Sequence, residues 1–128
     1  MAYEAPQIKI GTWTASADLS SKQYHFVKMS GDNTVTVTAA ITDKTIGVLQ
    51  NAPKSGQAAE VCVFGVTKVV ADGTLAAGSL IGTSSDAQAD AIAAGTDTTV
   101  YVVGQALEAA SAGETATMFF NPSNARSA

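Results

Sequence analysis

One histidine, one cysteine and eleven carboxylates are the side chains from which this 128-residue chain could assemble a reactive centre. His25 stands between Tyr24 and Phe26. General acid–base work needs such a group beside a nucleophile or substrate in a cleft. A histidine flanked by aromatic residues in an extended segment reads instead as a satisfied or half-exposed strand residue. With no second histidine and a single thiol, no ordinary zinc set can be assembled. Cys62 alternates with Val61 and Val63 and has no Lys, Arg or His beside it to favour the thiolate, so it reads as a small buried hydrophobe. Asp32, Asp43, Asp72, Asp86, Asp97 and Glu114 fall in turn-like stretches, where Asp supports the turn itself. Paired carboxylates can cleave glycosides or hold a divalent cation. Asp86 and Asp90 come nearest to a cluster, without the spacing of a calcium loop. Neither a phosphate-binding glycine loop nor a Gly-x-Ser-x-Gly elbow occurs. The expectation is a protein that is not an enzyme, with no catalytic residue, metal or cofactor.

The bulk numbers agree with a non-catalytic role. The length suits one domain. Hydrophobic residues make up 46% and charged residues only 14%, against roughly 25% charged in an average soluble domain. So sparsely charged a surface suits self-assembly or cover by a partner. Net charge is −4 and the pI about 4.6. The basic residues Lys9, Lys22, Lys28, Lys44, Lys54, Lys68 and Arg126 are scattered singly. Direct nucleic-acid binding, which needs a concentrated basic stripe, is not expected. No apolar run reaches the ~20 residues of a membrane helix, so no membrane partner is expected. The opening Met1-Ala-Tyr-Glu-Ala-Pro-Gln lacks the basic start and apolar core of a signal peptide, which predicts synthesis in the cytoplasm. One cysteine precludes an internal disulfide.

Positioning falls to strands, because period-two alternation dominates the chain. Gln7–Thr14, Gln23–Met29, Thr34–Thr38, Lys44–Leu49, Ala59–Phe64, Val66–Ala71, Ser79–Thr83, Thr99–Val103 and Thr115–Phe120 read as strands. Gly11 marks a bulge. Ser30-Gly-Asp-Asn33 and Asp72-Gly73 read as hairpin turns. The Ala-rich segment 86–95 is too short for a stable isolated helix and reads as strand or loop. The predicted fold is all-β: a small single-domain β-barrel or β-sandwich of short antiparallel strands. Residues 1–13 form an N-terminal arm, extended from the body or laid on it as an edge strand. The barrel or sandwich occupies 14–121, and 122–128 form a loose polar tail. Two stretches are alike at an offset of 57: Ile46-Gly47-Val48 matches Val103-Gly104-Gln105, Gly56 matches Gly113, and Ala59 matches Ala116. Two related strand–turn–strand units follow from this.

Several segments, in this order, resemble a known family. They are Asp18-Leu-Ser-Ser-Lys-Gln-Tyr-His-Phe-Val27, Ile46-Gly-Val-Leu-Gln-Asn-Ala-Pro-Lys-Ser-Gly-Gln-Ala-Ala-Glu-Val-Cys-Val63, Phe64-Gly-Val-Thr-Lys-Val-Val-Ala-Asp-Gly73, Ala76-Ala-Gly-Ser-Leu-Ile81 and Val103-Gly-Gln-Ala-Leu-Glu-Ala-Ala-Ser-Ala-Gly-Glu114. The sequence they make is similar to that of the tailed-phage capsid decoration, or cement, proteins, over about residues 14 to 121. The resemblance implies a structural virion protein on the outer surface of an icosahedral head. It would bridge major capsid protein subunits, as a homotrimer, and be made in the host cytoplasm. No catalytic residue comes with the family. Ile8, Ile10 and Trp13, on the arm outside the resemblance, are the candidate capsid contacts, since tryptophan is enriched at binding hot spots; packing in the core is the other reading of Trp13. The competing reading is a β-domain of another virion or adhesion module that binds a receptor or glycan. Aromatic residues are only 6% for such a platform. A carboxylate-dependent hydrolase on a β scaffold is the third reading.

Overall fold

The β-branched, alternating segments build nine strands in a computed structural model that describes residues 2–122. They are β1 (Gln7–Ala15), β2 (Phe26–Gly31), β3 (Thr34–Val37), β4 (Gly47–Leu49), β5 (Ala58–Val70), β6 (Leu80–Thr83), β7 (Ala89–Ala91), β8 (Gly104–Ala106) and β9 (Thr115–Phe120). No helix occurs among the described residues. The strands form one sheet in the order β1-β3-β2-β4-β5-β9-β8-β6-β7, and β1 also pairs with β5. That last pairing closes β1, β3, β2, β4 and the first half of β5 into a ring. The second half of β5 continues through β9, β8 and β6 to β7, where a bridge between Ala71 and Ala89 closes a second ring. The fold is thus all-β, as two small rings fused along one long strand.

Each ring wraps its own core. Ala15, Leu19, Val27, Val35, Leu49, Ala59 and Val61 fill the first, with Trp13, Val37, Ile46 and Val63 packed against them. Val69, Leu75, Ile81, Val103, Met118 and Phe120 fill the second, and Phe26 and Val48 reach into it from the first half. Phe26 tilts against Phe120 with ring centroids 6.3 Å apart. Burying each such ring contributes about 1.5–3 kcal/mol, so this contact ties the halves together. A buried hydrogen bond of 2.6 Å between the Thr38 and Thr83 hydroxyls adds a polar tie. The Thr83 hydroxyl is committed as donor to the Ser84 carbonyl, so Thr38 donates to Thr83.

The two rings are copies. Val48 pairs with Cys62 and Leu49 with Val61, and 57 residues on Gln105 pairs with Phe119 and Ala106 with Met118. Met29 opposite Val35 recurs as Thr83 opposite Ala89 at an offset of 54. Positive φ recurs in step, at Asn33 and Ala87 and at Gly56 and Gly113. Even a loop bond repeats: the Gln57 carboxamide accepts from the Lys54 amide as the Glu114 carboxylate accepts from the Ser111 amide. Gly47 and Gly104 open equivalent strands because a Cβ there would collide with the carbonyl oxygen of Cys62 or of Phe119. The repeated glycine starts its strand in both halves.

Several expectations are corrected. Gly65 does not end a strand: β5 runs through it for 13 residues, because φ of +122° at Gly65 bends the backbone without breaking the ladder. Asp72-Gly73 makes no hairpin, since β5 leads past it into the second ring and the Asp72 amide bonds to Ala89. Residues 23–25 are not strand, because Tyr24 takes φ of +64°. Thr99–Val103 gives way to Gly104–Ala106. Not all pairings are antiparallel: β1 runs parallel to β3. The division drawn between residues 13 and 14 falls inside β1, whose residues 7–14 pair with β5 around two register shifts. One of these puts an extra residue at Gly11-Thr12, the expected bulge. Of the tail 122–128, only Pro122 is among the described residues.

Candidate contact surface

The side chains with chemical potential are engaged structurally. His25 is buried. Its Nε2 lies 3.4 Å from the Gln88 amide nitrogen and its Nδ1 3.1 Å from the Gln23 carbonyl. An amide NH2 can only donate, so Nε2 accepts, and Nδ1 carries the proton it gives to Gln23. Burial holds the imidazole below its ordinary pKa and therefore neutral. Cys62 is fully buried and free, its Sγ 3.5 Å from the Phe64 carbonyl, and burial pushes its thiol up.

The acids separate by role. Asp43 Oδ2 accepts from the Ala39 amide at 2.7 Å, the Ala40 amide at 3.0 Å and Lys28 Nζ at 3.0 Å. The Ala39 bond first, then Lys28 and Ala40, hold its carboxyl below the usual range against the cost of burial. Asp43 thus pins the β3–β4 loop. Asp90 is raised, by burial first and then by Asp72 and Asp97. Asp86 belongs to the β6–β7 turn. Among the described residues no group of three or more His, Cys, Asp or Glu is placed to hold a metal ion.

What the molecule does present is a row of apolar side chains on its outer face. Directly paired residues point to the same face of a sheet. Ile8 faces Phe64 across β1 and β5, Val66 faces Phe119 across β5 and β9, Phe119 faces Gln105 on β8, and Gln105 faces Leu80 on β6. Ile8 is 58% exposed and Phe64 43%, while Val66, Phe119 and Leu80 are half-buried. Phe64 and Phe119 meet edge to face with centroids 5.4 Å apart. Beyond them a shallow depression of about 170 Å3 is lined by Leu80, Val102, Gln105, Phe119 and Asn121. The row crosses β1, β5 and β9 and continues, past the polar Gln105 of β8, to Leu80 of β6. Aromatic and aliphatic groups arranged in this way, on a chain with few charges, suit binding to another protein surface.

Of the three residues proposed from sequence, Ile8 lies at one end of the row. Ile10 is half-buried opposite Val61, and Trp13 packs on the core of the first ring. Phe64, Val66, Phe119 and Leu80 were not singled out. A signal for Phe119 was present: in an alternating strand, the doublet Phe119-Phe120 must turn one ring outward whichever way the strand faces. Phe120 takes the core. The N-terminal segment braces the end of the row. Ala5 donates to the Val66 carbonyl, the Val66 amide donates to Pro6, and a Cβ on Gly65 would strike Gln7 and Pro6.

No protein-family model matches this chain, and no curated protein does. Among solved structures it is similar to the head fiber gp8.5 N base of bacteriophage phi29, with a TM-score of 0.61 and 16% identity. The match covers 91% of this chain and 96% of that one, so the two share a fold over nearly their whole lengths.

Proposed function

We propose that this chain is a structural component of a phage virion, bound to the outer surface of the head. It binds the major capsid protein, bridges its subunits and stabilises the shell, without catalysis or cofactor. The observation that carries this reading is the fold shared, end to end, with the base of a phage head fiber. It agrees with the sequence resemblance to capsid decoration proteins. The row from Ile8 through Phe64 and Phe119 to Leu80 is the contact face, and of Ile8, Ile10 and Trp13 it includes Ile8. Its aromatic centre provides the anchors that dominate protein interfaces.

Stabilisation follows from linkage. A protein that binds the mature shell and not its looser precursor shifts the equilibrium by its differential affinity alone. Association as a homotrimer multiplies this, because the second and third contacts become intramolecular. The acidic net charge suits a part held away from packaged DNA. The test is co-sedimentation of purified protein at micromolar concentration with expanded heads lacking it. Saturable binding at a fixed ratio to capsid subunits is expected, and absence of binding would refute the reading.

A further inference from the structure

A second surface has a different chemistry. Strand β2 pairs with β3 along its length, but on its other side it meets β4 only at Phe26 and Val27. Thr38 donates to the Phe26 carbonyl, whereas Ile46 donates to the Val27 carbonyl. Backbone groups alternate sides along a strand, so those of Met29 point to the β4 side, where no described strand pairs with them. There the β3–β4 loop, pinned by Asp43, swings away and leaves a groove of about 590 Å3. Met29 (40% exposed), Ile46 and Pro122 supply apolar walls. Thr45 Oγ1 is buried there without a hydrogen-bond partner among the described residues. Lys28 is neutralised by Asp43 at 3.0 Å, while Lys44 stands exposed on the rim with no carboxylate partner among the described residues. The rim is therefore locally cationic on a chain of net charge −4. The corresponding ground in the second half, beside Gly82, is covered by Val100 and Ile92 of the chain itself.

We propose that this groove binds a short extended acidic peptide segment of a partner protein, as an added strand beside Met29. The segment's backbone pairs with the open Met29 amide and carbonyl. One aliphatic side chain enters between Met29 and Ile46, a polar group meets Thr45 Oγ1, and a carboxylate faces Lys44. This contact is independent of the outer apolar row and of the virion reading.

The probe is a blocked hexapeptide alternating Val and Glu, titrated into the isotope-labelled full chain and followed by amide chemical shifts and hydrogen exchange. The expected result is saturable shifts at Met29, Lys44, Thr45 and Ile46, slower exchange of the Met29 amide, and little response to the Val–Lys hexapeptide. Lys44→Glu should weaken binding of the acidic peptide by at least about three- to five-fold, the scale of one exposed ion pair, and improve binding of the basic one. Met29→Arg, at an exposed position, should block both while leaving the remaining spectrum unchanged. Absent or scattered shifts, equal response to the two peptides, or indifference to Lys44→Glu would overturn the proposal.

Discussion

Phe64 and Phe119 meet edge to face, although the register of β5 and β9 sets Phe119 opposite Val66 and not opposite Phe64. The contact is therefore diagonal, a reach that aromatic rings can span on one face of a sheet. It holds two rings against each other at the centre of the exposed row. Rings fixed in this way lose little further freedom when a partner covers them, and low ordering cost is what allows buried area to appear as affinity.

Replacing both rings should separate binding from folding. In the double variant Phe64→Ser/Phe119→Ser, affinity for heads lacking the protein should fall at least about tenfold, the scale of a lost hot spot. The circular dichroism spectrum should stay that of a folded β protein, because the cores beneath the rings are intact. Ile41→Ser, at a residue 43% exposed on the β3–β4 loop, should bind like the parent protein. Co-sedimentation and thermal melts read the two effects.

The duplicated glycines make a paired prediction about stability. Gly47→Ala and Gly104→Ala should each cost about 1–3 kcal/mol, the range for an overpacked core, because the new methyl group meets backbone carbonyls that cannot rotate away. Gly11→Ala should be nearly neutral, since its Cβ would touch only Glu60 Cγ at 3.8 Å. Urea midpoints of the three variants check this.

His25 sets a pH dependence. Burial lowers its folded pKa below the ordinary value of 6.5, so the unfolded chain takes up the proton first as pH falls. The contribution of the neutral imidazole is complete above pH 6.5 and is lost as pH drops towards the folded pKa. Stability should therefore decline from pH 7 to 5, and His25→Gln should flatten that slope. Urea midpoints at the two pH values give the measurement.

Asp43 acts at lower pH with the same sign. Its folded pKa lies below 3.8, so its contribution is full above that value and is lost as pH falls through the folded pKa. Asp43→Ala removes a carboxylate that accepts two backbone amides and a lysine. It should cost about 1–2 kcal/mol at pH 7, and the difference from the parent should narrow near pH 2. Melts of both proteins across this range test it.

Strand content was legible because alternation is a local signal: Thr115–Phe120 and Thr34–Val37 are identifiable from their residues alone. The offset of 57 likewise pointed to a repeat, since glycines needed for close approach recur wherever the same hairpin recurs. Closure of two rings was not legible. It depends on β1 running parallel to β3 and on one bridge from Ala71 to Ala89, pairings between segments far apart in the chain. The contact row was half legible for a related reason. Ile8 and Ile10 would share a face in a regular strand, but the register shift between Ile8 and Lys9 leaves Ile10 opposite core-facing Val61 and sets Ile8 beside exposed Phe64. Asp43 read as an ordinary turn acid. Its part in opening the groove beside Met29 appears only once Lys28 is beside it.

A cryo-electron microscopy reconstruction of heads decorated with this protein tests the central claim most directly. The account predicts density on the outer surface of the shell, into which the two-ring fold fits with Ile8, Phe64 and Phe119 turned onto the major capsid protein. Heads without added density, or a fitted fold whose Phe64–Phe119 row faces solvent, would contradict it.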